Sequence, residues 1–101
     1  MTIVCDLNAF GKAERPRYNA LMGRLRAAVQ QRSEIPDGYR FELDGATVSL
    51  SEVTEWMTME SLCCPFFSFQ VSASGDRDLW SLELTGPLGA KPIIEDAFRL
   101  S

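Results

Sequence analysis

Glu60, Cys63 and Cys64 lie three and four positions apart. On a helix those offsets bring one carboxylate beside two sulfurs. Adjacent Cα atoms sit about 3.8 Å apart, short of the usual disulfide spacing, so the pair reads as a vicinal dithiol and not as a bridge. Adjacent thiolates suit soft ions such as Cu(I), Hg(II), As(III) or Zn(II). An ion would itself lower the thiol pKa. Cys5 is the third cysteine and could add a sulfur, while Glu60 could add an oxygen. The candidate metal ligands are therefore Cys63, Cys64, Glu60 and Cys5. A reactive thiol is the second reading, opposed by the negative end of the helix dipole and by Glu60, which both disfavour a thiolate. The third reading is structural, because free cysteines pack as small hydrophobes. In that case Glu60 is expected to bond to backbone donors or to an arginine.

The 101-residue chain contains no histidine. That excludes Ser-His and Cys-His pairs, histidine-containing zinc sites and imidazole acid–base steps. No catalytic residue is assigned, and no cofactor is indicated. Three cysteines is an odd number, which argues against a disulfide framework.

The elements that position these residues follow from periodicity. Residues 16–32 read as an amphipathic helix with Tyr18, Leu21, Met22, Leu25, Ala28 and Val29 on one stripe. Ile35-Pro36-Asp37-Gly38 breaks it. Tyr39, Phe41 and Leu43 alternate with polar residues as a strand. Asp44-Gly45 is a hairpin signal leading to a short strand through Ala46, Val48 and Leu50. Ser49 and Glu52 fit a capping box opening a second helix, with Val53, Trp56 and Met57 on its buried face. Pro65 disfavours helical geometry at Cys64, so this helix should end near Cys63. Phe67 to Val71 and Trp80 to Leu84 read as two more strands. Phe66 should face away from Phe67, so one of the two could sit at a surface or in a dimer interface. A last helix carries Ala90, Ile93, Ile94, Ala97 and Phe98. The order is helix, hairpin, helix, hairpin, helix, after an N-terminal segment that could add an edge strand. The expectation is a single α+β domain over 1–101, with a mostly antiparallel four-stranded sheet and three helices on one face.

The run Glu60-Ser61-Leu62-Cys63-Cys64-Pro65-Phe66-Phe67-Ser68-Phe69 resembles the E-x-x-C-C-P-F-x-x-F hallmark of a family of small bacterial proteins of unknown function. Pro36-Asp37-Gly38-Tyr39, Leu79-Trp80 and Leu84-Thr85-Gly86-Pro87-Leu88-Gly89 resemble its turns and last strand. The resemblance covers most of residues 35–100 and implies no activity.

Composition narrows the partners. Hydrophobic residues make up 46% and the net charge is −4, which disfavours general nucleic-acid binding. Residues 1–40 carry +3 and residues 41–101 carry −7. The basic excess of Arg17, Arg24, Arg26 and Arg32 reads as a solvated face, with a phosphate-binding surface the minor reading. No apolar run reaches the roughly 18 residues of a membrane span. The first residues lack a signal-peptide pattern, so a cytoplasmic location with reduced thiols is expected. The functional expectation is a small non-enzymatic binding or accessory protein, holding a soft metal or metalloid ion through the dithiol. The alternatives are a thiol-dependent enzyme or redox sensor, and a homodimeric interaction module with a structural cysteine pair.

Overall fold

The computed structural model describes residues 11–75 and 78–100. The N-terminal segment, where an edge strand was expected, and Cys5 with it, lie outside the described residues. Elements run α1 (Arg15–Ala28), β1 (Val29–Ile35), β2 (Gly38–Asp44), α2 (Leu50–Cys63), β3 (Ser68–Ala73), β4 (Leu79–Thr85) and α3 (Ala90–Ala97). The sheet order is β1-β2-β4-β3, with every neighbouring pair antiparallel. The α+β class, the four strands in two hairpins and the three helices agree with the expectation.

One expected strand is wrong, and one is missing from the sequence reading. The first hairpin is β1–β2, closed by Pro36 and Asp37 with Ile35 opposite Gly38. It is not a hairpin about Asp44-Gly45. The helix assigned to residues 16–32 ends at Ala28, and Val29 turns extended. β1 was hidden because it lies at the edge of the sheet among the described residues, exposed along most of its length, with no buried face to impose alternation. Around Asp44 the chain curls instead of pairing. Asp44 accepts from the Ala46 amide (3.2 Å) and the Thr47 hydroxyl (2.7 Å). The Val48 amide donates to the Asp44 carbonyl (3.1 Å) and Val48 enters the core. An Asx-turn of this kind satisfies the backbone locally and competes with a second strand.

Tyr39, Phe41 and Leu43 on β2 and Leu82 and Leu84 on β4 are buried, while Arg40 and Glu42 lie on the opposite side of β2. Residues of α1 (Leu21, Met22, Leu25, Ala28), α2 (Val53, Trp56, Met59, Cys63) and α3 (Ala90, Ile94) complete the same cluster. Phe98 stacks on Phe41 at 4.3 Å between ring centroids and meets Trp56 edge-on at 6.1 Å. Gly38 is required by close approach: a Cβ there would lie 1.9 Å from the Leu84 carbonyl oxygen. Gly89, which opens α3, has φ 98°, a left-handed conformation that favours glycine.

The four arginines do not form one face. Arg17 makes a bidentate pair with Glu55 (2.7 and 2.9 Å), and Arg24 meets Glu52 at 2.9 Å. Arg26 and Arg32 donate to the carbonyls of Ala97 and Leu100. They tie α1 and β1 to α2 and to the chain's last described turn. Among the described residues, no helix is long and apolar enough to cross a membrane.

Candidate metal centre

The centre sits where α2 ends. Ser49 and Glu52 form the expected capping box: the Glu52 amide donates to Ser49 Oγ (3.1 Å) and the Ser49 amide to Glu52 Oε1 (3.0 Å). With its start fixed, the helix presents Val53, Trp56, Met59, Glu60 and Cys63 to the interior. Met57, expected on this face, is only partly buried, and Met59 takes its place. Val53, Trp56 and Glu60 keep the places read in the sequence, and the face widens toward Met59 and Cys63.

The exit is equally local. Cys64 is the C-cap, its amide donating to the Glu60 carbonyl at 2.6 Å. Its φ of −128° and ψ of 76° are outside the helix, as the following Pro65 requires. The Phe67 amide then donates to the Cys64 carbonyl (3.2 Å), closing a turn with proline at its second position. Phe66 and Phe67 are both buried, their rings 4.6 Å apart. The expectation that they face apart fails, because strict alternation does not hold in a turn that precedes the strand.

Glu60, Cys63 and Cys64 are all buried, and one donor atom from each lies within 4.8 Å of the others. The Cys63 and Cys64 sulfurs are 3.6 Å apart. A sulfur–sulfur bond is about 2.05 Å, so they are not bonded to each other. Cys63 retains its thiol, whereas Cys64 is disulfide-bonded. This corrects the dithiol reading: adjacency prevents a bridge within the pair but not one to a sulfur elsewhere.

Glu60 is 3% exposed. Tyr18, from α1, donates its hydroxyl to Glu60 Oε2 at 2.6 Å. Glu60 Oε1 lies 3.1 Å from Cys64 Sγ. Burial is the main influence on this carboxyl and pushes its pKa up; the Tyr18 hydroxyl and the nearby Trp56 indole pull the other way. A disulfide sulfur has no proton to give, so in the oxidised state a protonated Glu60 would be the donor in this contact. Burial, followed by the Glu60 charge and its hydrogen bond, raises the Tyr18 phenol well above its ordinary range. The Trp56 indole nitrogen is buried with no hydrogen-bond partner. It is close enough to favour a charged Glu60 but does not reach it in hydrogen-bonding geometry.

Glu60 thus has the specific partner its place on an apolar stripe demanded, but that partner is a tyrosine and not an arginine. The sequence reading counted Tyr18 only as part of an apolar stripe. The available signal was its hydroxyl, which needs a partner when a tyrosine packs against a core.

The chain matches no known protein family, no curated protein sequence and no solved structure.

Proposed function

We propose that this is a small non-enzymatic binding protein whose reduced form holds a soft or borderline metal or metalloid ion at Glu60, Cys63 and Cys64. One observation carries the reading: two sulfurs and a carboxylate from five consecutive residues converge within 4.8 Å inside the core. A buried acid next to sulfur is costly unless it has a task or a partner. Tyr18 satisfies one oxygen and leaves the other directed at the sulfurs. Loading follows reduction of the Cys64 disulfide by a dithiol, which takes the sulfur–sulfur bond as its own and leaves two thiols. Deprotonation of these thiols accompanies ion uptake, so binding releases protons.

Calorimetric titration of phosphine-reduced protein with Zn(II), Cd(II) and Hg(II) tests this. Saturable uptake of one ion per chain, abolished by Cys63→Ser with Cys64→Ser, is expected. Equal uptake by the double-serine protein, or none by wild type at micromolar ion, would refute it.

A second reading, a thiol redox sensor, is favoured by one specific observation. The Cys63 thiol lies 3.6 Å from the sulfur of the disulfide-bonded Cys64; attack of the Cys63 thiolate on the far sulfur of that bridge would pass the bond to Cys63 and release Cys64 as a thiol. Disulfide mapping after graded oxidation separates the two. A bond that migrates to Cys63 supports the sensor, and a bond that stays fixed removes it.

A further inference from the structure

Resting on that ion-binding reading, we infer that the Glu60–Cys63–Cys64 centre is built for a divalent ion of bent, near-tetrahedral coordination, of the Zn(II) or Cd(II) type, with Glu60 as a direct ligand. Ions that prefer two sulfurs in a line can engage the pair only by spreading the sulfurs, and they take nothing from Glu60.

The distances decide this. With metal–sulfur bonds of about 2.3 Å, sulfurs 3.6 Å apart subtend about 103° at the ion. That is close to the tetrahedral value of about 109°. A linear ion with the same bond length would need its sulfurs about 4.6 Å apart. Cys63 is the last residue of α2 and Cys64 its cap, with Pro65 fixing the exit, so the two Cα atoms are held and only side-chain rotation can spread the sulfurs. The carboxylate completes the argument. Glu60 Oε1 is 3.1 Å from Cys64 Sγ. With a metal–oxygen bond of about 2.1 Å, that pair subtends about 90° at the same ion. The third pair, Glu60 to Cys63, lies within 4.8 Å, so once the Cys64 bridge is reduced one ion reaches all three donors by side-chain adjustment, with the helix in place.

The donor types agree with the angles. Two thiolates and one carboxylate form a mixed set that a borderline ion accepts, whereas Cu(I) selects sulfur alone. The groups facing Glu60 suit a ligand carboxylate. The Tyr18 hydroxyl holds Oε2, leaving Oε1 for the ion, and the buried Trp56 N–H adds a positive edge nearby. Tyr18 is a positioning residue in this scheme, acting only through Glu60.

Reduced wild type, Glu60→Gln and Cys63→Ser are titrated anaerobically with Cd(II) and, separately, with Hg(II), and circular dichroism checks folding. X-ray absorption of the wild-type Cd(II) complex counts sulfur and oxygen neighbours. Wild type is expected to show two sulfurs and at least one oxygen around Cd(II). Glu60→Gln should weaken Cd(II) about 10- to 100-fold or more and leave Hg(II) within about twofold. Unchanged Cd(II) affinity in Glu60→Gln, with Cys63→Ser still defective, would overturn the role of Glu60 while leaving the ion-binding reading intact. Should Glu60→Gln not fold, the absorption spectrum decides alone: an all-sulfur shell rejects the inference. Absence of binding by any ion to reduced wild type would reject the ion-binding reading itself.

Discussion

Replacing Trp56 by alanine should cost about 3–5 kcal/mol of folding stability. The side chain is 1% exposed and meets Phe69 edge-on at 5.7 Å and Phe98 at 6.1 Å. Burying an aromatic of its size removes about 150–250 Å² from water, equivalent to roughly 4–6 kcal/mol. Each aromatic pair adds about 0.5–1.5 kcal/mol. Against this stands the indole N–H, buried without a partner, which carries a penalty of about 1–3 kcal/mol. The balance, about 2–8 kcal/mol, brackets the alanine figure. For a chain of this length each kcal/mol moves the melting temperature by about 4–8 °C, so the loss is about 12–40 °C. Trp56→Phe separates the two contributions, because it keeps most of the ring and removes the N–H. It is expected to lie within about 1 kcal/mol of wild type. Urea unfolding followed by far-ultraviolet circular dichroism measures both, with equal m-values required. An alanine midpoint within error of wild type would refute the core assignment. A phenylalanine variant as unstable as the alanine one would show that the N–H is not the liability argued here.

Tyr18→Phe should destabilise the protein by about 1–3 kcal/mol, because it leaves a buried carboxyl without its hydroxyl donor; a neutral result by thermal melting would mean that Glu60 is satisfied otherwise. The two tyrosines should both resist ionisation near pH 10, their ordinary value. Tyr39 is pushed up to about 12 by its hydrogen bond to Glu95 and by burial, and Tyr18 is also raised. A phenol whose folded pKa is raised favours the fold fully below pH 10, and that contribution is lost as pH rises toward 12. Phenolate absorbance against pH should show neither residue titrating in folded protein near pH 10, and Glu95→Gln should return Tyr39 toward 10. Ser49→Ala removes the capping box of α2 and should cost about 0.5–2 kcal/mol in chemical denaturation. Gly38→Ala should cost more than that cap, about 1–3 kcal/mol or above, since its Cβ would meet the Leu84 carbonyl oxygen at 1.9 Å; a wild-type midpoint would show that β2 and β4 can separate freely.

The sequence by itself determined what neighbouring residues decide among themselves. Ser49 and Glu52 cap α2 because their bonds span three residues, and Pro65 ends it because the clash is with the residue before. The offsets of Glu60, Cys63 and Cys64 bring their donors together through helix geometry alone. Tyr39, Phe41, Leu82 and Leu84 declare their strands because one buried face enforces alternation. Tertiary structure decided the rest. β1 lacks a buried face, so its pairing with β2 leaves no period in the sequence. The strong hairpin signal at Asp44-Gly45 lost to side-chain bonds from Asp44 and to burial of Val48. The Phe66 and Phe67 rings turned inward together because a turn obeys packing and not strand alternation. The bond from Tyr18 to Glu60 spans 42 positions, and the disulfide at Cys64 is not one that the adjacent Cys63 supplies. Neither can be read from local spacing, because only the packing of α1 on α2 and the path of the whole chain fix which groups meet.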